Sequence, residues 1–266
     1  MKTFTKEELI SELEAICDRG WITSTRGKND GALGNTLEDL LGIEENNLPI
    51  PNASEWELKT KRIGTSSLTS LVHPEPSPRA LKMVPQILLP RYGWPHKGAG
   101  TTHPKSELSL RMTLTNETRT DRGFNFVVDR RSKRIVVTFD AASVDKRHKE
   151  WLKTVKARTG LGDIDPNPYW GFDDLAAIIR AKLTNAFYVE AERRRNSKGL
   201  EEFLFKRVTI VSNFSFNGFL KLAEKGILKI DFDARTGHNH GTKFRIKSNY
   251  LPDLYENTQV VIDRDK

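Results

Sequence analysis

Cys17 is the only cysteine among 266 residues, so neither a disulfide framework nor a cysteine-based zinc finger or ribbon can hold this chain together. The fold has to come from a buried apolar core. A chain of this length can build one, as one large domain or two small ones. Hydrophobic residues make up 37% and charged residues 29%, the balance of a folded globular protein rather than a disordered one. No apolar run approaches the ~20 residues of a membrane span. The opening Met1–Lys6 lacks the apolar stretch of a secretory leader. The expectation is a cytoplasmic protein with no membrane partner.

The 43 Lys+Arg exceed the 35 Asp+Glu, giving a formal charge of +8 and a pI near 9.5. Such a chain favours polyanionic partners, because neutralising phosphates releases condensed counterions. A basic surface kept for solubility accounts for the same number. The distribution is more telling than the sum. Basic residues recur through Arg119–Arg134, Lys146–Arg158 and Arg193–Arg195 among aromatics and glycines, with no detached basic tail. Charge spread over a folded body suits a cleft that grips a duplex.

Thr5-Lys6-Glu7-Glu8 has the form of a capping box, and Leu9, Ile10, Leu13, Ile16 and Cys17 follow at helical spacing until Gly20. A second helix is predicted over Leu33–Leu41, with Gly42 as its C-cap and Glu38 within it. Glu55–Lys59 alternates with period two, the signature of a strand, placing Glu55, Glu57 and Lys59 on one face and Trp56 and Leu58 on the other. A strand at Ser67–Val72, a helix over Arg79–Leu89 and a mobile Gly93–Pro104 loop follow. Leu108–Leu114, Phe124–Val128 and Arg134–Phe139 read as a three-stranded meander. Beyond a helix at Arg147–Arg158, the turn-rich Gly160–Pro168 marks a boundary between lobes 1–160 and 161–266. The second lobe carries predicted helices at Phe172–Leu183 and Asn217–Lys225. Its predicted strands are Ala186–Ala191, Phe203–Val211, Ile227–Phe232 and Lys243–Ile246, with Arg235–Gly241 as a loop. This mixed order points to an α/β or α+β architecture.

Glu57-Leu58-Lys59 is the only acidic-x-Lys triplet in the chain. By itself it describes an ion pair on an exposed strand face, worth under ~1 kcal/mol. Phosphodiester hydrolysis gives it a second meaning. That reaction needs a hard cation, oxygen ligands to hold it, and a fixed positive charge to steady the nucleophile. A strand with Glu and Lys two residues apart presents both groups on one side, and the Leu58 carbonyl adds an oxygen. Glu38, on the upstream helix, is placed to pack over the same strand as a further carboxylate.

The resemblance is wider than the triplet. Leu33-Gly34-Asn35-Thr36-Leu37-Glu38-Asp39-Leu40-Leu41, Glu44–Leu48, Glu55–Lys59, Leu68–His73, Pro78-Arg79-Ala80, Arg91-Tyr92-Gly93, Tyr169–Asp173 and His238–Ile246 occur in matching order. In this the chain resembles the MvaI/BcnI group of restriction endonucleases, which have a PD-(D/E)xK core and are relatives of the mismatch-repair nicking enzyme MutH. The resemblance implies a restriction-endonuclease-like α/β fold, a mixed sheet flanked by helices, with a second, recognition lobe forming a DNA cleft. The lobe 1–160 would be catalytic and 161–266 would recognise DNA. It further implies Glu57 as a metal-binding carboxylate, Lys59 as the residue orienting the attacking water, Glu38 as the accessory carboxylate, and Mg²⁺ as cofactor. Five residues before Glu57 the family usually has Asp, and this chain has Asn52. An amide oxygen still ligates Mg²⁺ but brings no charge, so Glu38, Asp30 or Glu55 makes up the difference or cleavage suffers.

His238-Asn239-His240 spells HNH, yet nucleases of that name scatter the three residues over a finger-like motif. As half of a zinc site it lacks a shell, and a plain surface histidine pair is the simpler alternative. The resemblance places this segment in the recognition region, with His238, His240, Lys243, Arg245 and Arg235 reaching base edges. Arginines suit guanine O6 and N7, though both arginines also suit ordinary salt bridges. His73 matches a histidine that contacts the central base pair in one branch of the family. It otherwise reads as a polar cap at a strand end. The Arg26–Gly31 and Trp94–His103 loops have the composition of backbone clamps.

Together these features imply a monomeric type II enzyme that cuts double-stranded DNA at a short C/G-rich site by sequential nicking. No P-loop, and hence no nucleotide cofactor, is present. A MutH-like repair nickase and a DNA-binding protein without cleavage are the alternatives.

Overall fold

The computed structural model describes residues 4–24, 26, 31–43, 55–65 and 68–265. The chain divides into two compact units: Met1–Thr69 with Ile179–Ser215 and Ser248–Lys266, and Ser70–Ile178 with Phe216–Lys247. A single cut at residue 160 therefore does not separate them. The physical reason is strand pairing, since strands from both ends of the sequence share one sheet in the first unit.

That unit begins with α1 (Lys6–Cys17). Thr5 Oγ1 accepts from the Glu8 N–H at 3.2 Å while Glu8 Oε2 accepts from the Thr5 N–H at 2.8 Å, completing the capping box, a motif worth about 1 kcal/mol. β1 (Ile22–Thr23) and α2 (Ala32–Leu41) follow, and Gly42 closes α2 at φ 66, a left-handed conformation that glycine adopts freely. The sheet comprises β1, β10 (Glu201–Phe214), β9 (Asn185–Arg195) and β2 (Glu57–Arg62), in that order, with β13 (Tyr255–Asp263) also pairing β10. β2 runs parallel to β9 and the other pairings are antiparallel. Leu9, Leu13 and Ile16 of α1 and Leu33, Leu37 and Leu41 of α2 pack with Trp56, Leu58, Phe187, Val189 and Phe203 in one core. Each large apolar side chain fully buried there contributes about 2 kcal/mol.

The second unit holds two sheets. One is ordered β3 (Leu68–Val72), β12 (His238–Lys247), β11 (Lys229–Arg235), β5 (Leu108–Leu114), β4 (Trp94–Pro95). The other is ordered β6 (Phe124–Asp129), β7 (Arg134–Phe139), β8 (Tyr169–Gly171). The predicted meander is thus split, because β5 pairs with β11 and leaves β6 and β7 as a hairpin. The predicted Arg79–Leu89 helix is a 3-10 turn (Arg79–Leu81), a π-helical stretch (Met83–Leu88) and α3 (Leu89–Tyr92). It breaks at Lys82, whose φ of 47 is incompatible with a right-handed helix.

α4 (Lys149–Thr159) is anchored by Trp151, whose indole N–H donates to the Tyr92 carbonyl at 2.9 Å. α5 (Phe172–Leu183) and α6 (Phe216–Glu224) lie close to their predicted bounds. The Gly93–Pro104 segment, expected to be mobile, is tied by hydrogen bonds from the Thr102 and His103 N–H groups to the Gly98 carbonyl. The expected Arg235–Gly241 loop is a tight hairpin in which Arg235 opposes His238 and Gly237 takes φ 70. No helix among the described residues is long and apolar enough to cross a membrane.

Candidate active site

Residues of β2 alternate between two environments. Trp56 and Leu58 face the α1/α2 core, so Glu57 and Lys59 project from the opposite face of the sheet. There the Lys59 ammonium lies 2.6 Å from Glu57 Oε1, the carboxylate side chain being only 3% exposed and the lysine 18%. Lys182, in the last turn of α5, reaches the same oxygen at 3.6 Å. Glu57 Oε2 is buried and has no hydrogen-bond partner among the described residues. A buried carboxylate oxygen left so costs ~1–3 kcal/mol. It is an acceptor for which the described residues supply no donor.

In parallel register, Lys59 pairs Tyr188 and Lys61 pairs Glu190. The Tyr188 and Tyr255 hydroxyls stand 3.5 Å apart. Burial raises the Tyr188 phenol far above its ordinary range, helped by Tyr255 and by the Glu57 charge. Burial also raises Tyr255, against the Tyr188 hydrogen bond, and Glu57 adds to the rise. Both phenols therefore stay protonated at working pH. Further along the strand, Lys61 pairs Glu190 at 2.8 Å, and Arg207 reaches Glu190 at 3.7 Å and Asp263 at 3.2 Å.

The structure thus brings Glu57 and Lys59 together and adds Lys182, which sequence reasoning missed. Lys182 is 125 residues beyond Glu57, and a lone lysine at a helix end carries no motif. Glu38 stands half-buried on α2. Gly34, one turn before it, meets β2 closely enough that an added Cβ would lie 3.5 Å from Thr60 Oγ1. This stretch of α2, which carries Glu38, therefore packs against β2. Asn52 and Asp30 lie outside the described residues, as does most of the Arg26–Gly31 loop. Arg26 itself pairs with Asp39 at 2.6 Å.

In the second unit, five of the six residues assigned to recognition share the β11–β12 hairpin. Arg235 closes β11 and donates to Glu107 Oε1 at 2.9 Å. His238 and His240 are exposed, their ring centroids 4.2 Å apart. Lys243 and Arg245 alternate with the buried Thr242, Phe244 and Ile246, and so share the outward face. Arg245 donates to Asp231 Oδ2 at 2.7 Å. Both arginines therefore do make the salt bridges that the sequence allowed. His73 is exposed just past β3. Arg111, on β5, joins this face through Asp233, which its Nε meets at 2.9 Å.

No curated protein matches the chain. Among solved structures, the MvaI restriction endonuclease in complex with cognate DNA substrate is 22% identical with a TM-score of 0.77, covering 98% of this chain and 100% of that one. MvaI in the absence of DNA is 23% identical with a TM-score of 0.53 at the same coverage, 98% and 100%. These likenesses establish the mixed α/β fold. The model of the MvaI/BcnI restriction endonuclease family spans residues 10–255, a range that includes the Glu57–Lys59 strand, Lys182 and the β11–β12 hairpin. The chain belongs to the MvaI/BcnI restriction endonuclease family.

Proposed function

We propose that this chain is a type II restriction endonuclease that hydrolyses phosphodiester bonds of double-stranded DNA at a short C/G-rich site. It uses Mg²⁺ and acts as a cytoplasmic monomer that nicks one strand and then the other. The first unit carries the chemistry and the second reads the DNA. The observation that carries this reading is the Glu57 carboxylate, buried beside two lysines with one oxygen unpartnered among the described residues, in a chain of a restriction-endonuclease family.

That unpartnered oxygen fits a hard cation, which prefers carboxylate and carbonyl ligands and keeps several waters. Among the described residues no cluster of three or more His, Cys, Asp or Glu is arranged to hold a metal. Asn52, the Leu58 carbonyl and water are thus the partners Glu57 would need, with Glu38 as the accessory carboxylate from α2. Such an ion, when bound, offsets phosphate charge and acidifies a water. Glu57 contributes the anchoring carboxylate. Lys59 orients the attacking water and steadies its developing charge. The buried phenols of Tyr188 and Tyr255 remain neutral and wall that side of the carboxylate. His73, Arg235, His238, His240, Lys243 and Arg245 are the residues assigned to DNA contact.

The test is digestion of a mapped phage DNA by wild type and Lys59→Ala, with and without Mg²⁺, followed by sequencing of the ends. Defined double-strand breaks with 5′-phosphates, only for wild type with Mg²⁺, are expected. Asn52 gives a second reading some footing, that of a DNA-binding protein without cleavage. Plasmid left intact in Mg²⁺ and Mn²⁺ alongside salt-sensitive DNA binding would establish it instead. Nicking without linear product would point to the repair-type alternative.

A further inference from the structure

β11 carries two aspartates two residues apart, and each braces an arginine on a different neighbouring strand. Asp231 accepts from Arg245 of β12 at 2.7 Å and from the Thr113 hydroxyl at 2.7 Å. Asp233 sits directly opposite Arg111 of β5 and accepts from its Nε at 2.9 Å, with Nη2 also at 2.9 Å from the same oxygen. Along β5, Leu110, Met112 and Leu114 are buried, so Arg111 shares the outward face of the sheet with Thr113. The Arg111 side chain is 69% exposed and that of Asp233 24%. The carboxylate lies underneath and the guanidinium on top. Burial works to raise Asp233, but the Arg111 hydrogen bond and charge, with His240 and Lys243, hold it below the usual carboxylate range. Arg111 also stands on the shared wall of two cavities of about 380 Å³ each, one reaching Lys243 and Arg245 and the other Arg235 and His240.

We infer that Arg111 is a base-reading residue of the recognition face, offering guanine its free guanidinium edge, and that Asp233 is the residue that positions it. The inference rests on the proposed DNA cleavage. A guanidinium is a rigid planar fork, and reading O6 and N7 together requires that fork to be aimed. A carboxylate that holds the Nε side does the aiming and leaves N–H groups at the far edge. A cation that merely grips phosphate needs no such brace, and an adjacent carboxylate would weaken its hold. Asp231 and Asp233, unfavourable by charge on a surface meant for DNA, become intelligible as supports for two readers on either side of β11.

The test uses the full-length protein on a library of randomised duplex sites, with cut ends sequenced, and binding measured in Ca²⁺ at several salt concentrations. Arg111→Ala and Arg111→Lys are expected to lower cleavage of the preferred site by ~10- to 100-fold and to relax the guanine requirement at one position. The lysine variant keeps the charge but not the fork, so the salt slope should stay the same. Asp233→Asn should relax the same position to a smaller degree. A uniform loss over all sequences, with the salt slope lower by about one, would make Arg111 a phosphate contact and overturn the inference. Unaltered site preference in all three variants would overturn it as well, leaving a surface ion pair. If wild type itself cuts nothing, the cleavage reading fails; if wild type cuts and only the Arg111 results disagree, this inference alone fails.

Discussion

Lys182 Nζ stands 3.6 Å from the Glu57 oxygen that Lys59 already holds. Two ammonium groups on one buried carboxylate oppose the entry of a divalent ion. Replacing Lys182 by Met is expected to tighten Mn²⁺ or Ca²⁺ binding to the DNA-free protein by roughly three- to tenfold, the ~1 kcal/mol scale of a partly exposed charge. Calorimetric titration measures it. Unchanged or weaker binding would show that Lys182 does not compete for that oxygen.

Lys59→Met removes the closer of the two cations and leaves Glu57 buried beside Lys182 alone. The cost to folding is expected to be about 2–4 kcal/mol, because a buried charge has lost its main partner. Urea unfolding of the metal-free protein measures this apart from catalysis. Combining Lys59→Met with Glu57→Gln should restore part of the loss. A single variant as stable as wild type would refute the account of this pair.

Cys17, on the core side of α1, has its thiol raised to about 11, chiefly by burial, with Arg264 pulling it down and Asp18 and Glu14 pushing it up. In the unfolded chain a thiol ionises near ~8.5. Between those values the unfolded state gives up a proton that the folded state keeps. The contribution is thus whole below about pH 8.5 and is lost as pH rises toward 11, about 3 kcal/mol in all. Urea midpoints of wild type and Cys17→Ala, compared from pH 8 to 11, should converge as the alkaline limit nears. Parallel curves would contradict the burial argument.

Asn52→Asp adds a carboxylate where the family usually has one. Cleavage should be retained or raised, and half-maximal activity reached at lower Mg²⁺. Loss of activity with an unchanged melting curve would assign Asn52 a role other than ligand.

Local chemistry made much of the fold legible. The Thr5/Glu8 reciprocal cap, the Gly42 stop and the period-two run around Glu57 each act within a few residues, and each appears where expected. β13 escaped notice because Glu256–Gln259 is polar and exposed on both faces, leaving no alternation to read. The β5 strand was visible but its partner was not, since β11 lies more than a hundred residues away and pairing is decided by burial rather than by neighbours. The same distance hid Lys182 from Glu57 and Asp233 from Arg111. Glu57 and Lys59 were legible because two residues on one strand share a face. Acidic braces beneath basic readers were not, because composition counts charges without saying which ones touch.

The interleaving of the two units bears on synthesis at the ribosome. A nascent chain that has reached residue 178 already displays Glu57 and Lys59, but lacks β9, β10, Lys182 and the strand that closes the sheet at Tyr255–Asp263. The apolar faces of α1 and α2 must therefore wait, uncovered, for most of translation. Chaperone capture should concentrate on that early segment, and a prematurely terminated product would carry the catalytic pair without the sheet that supports it.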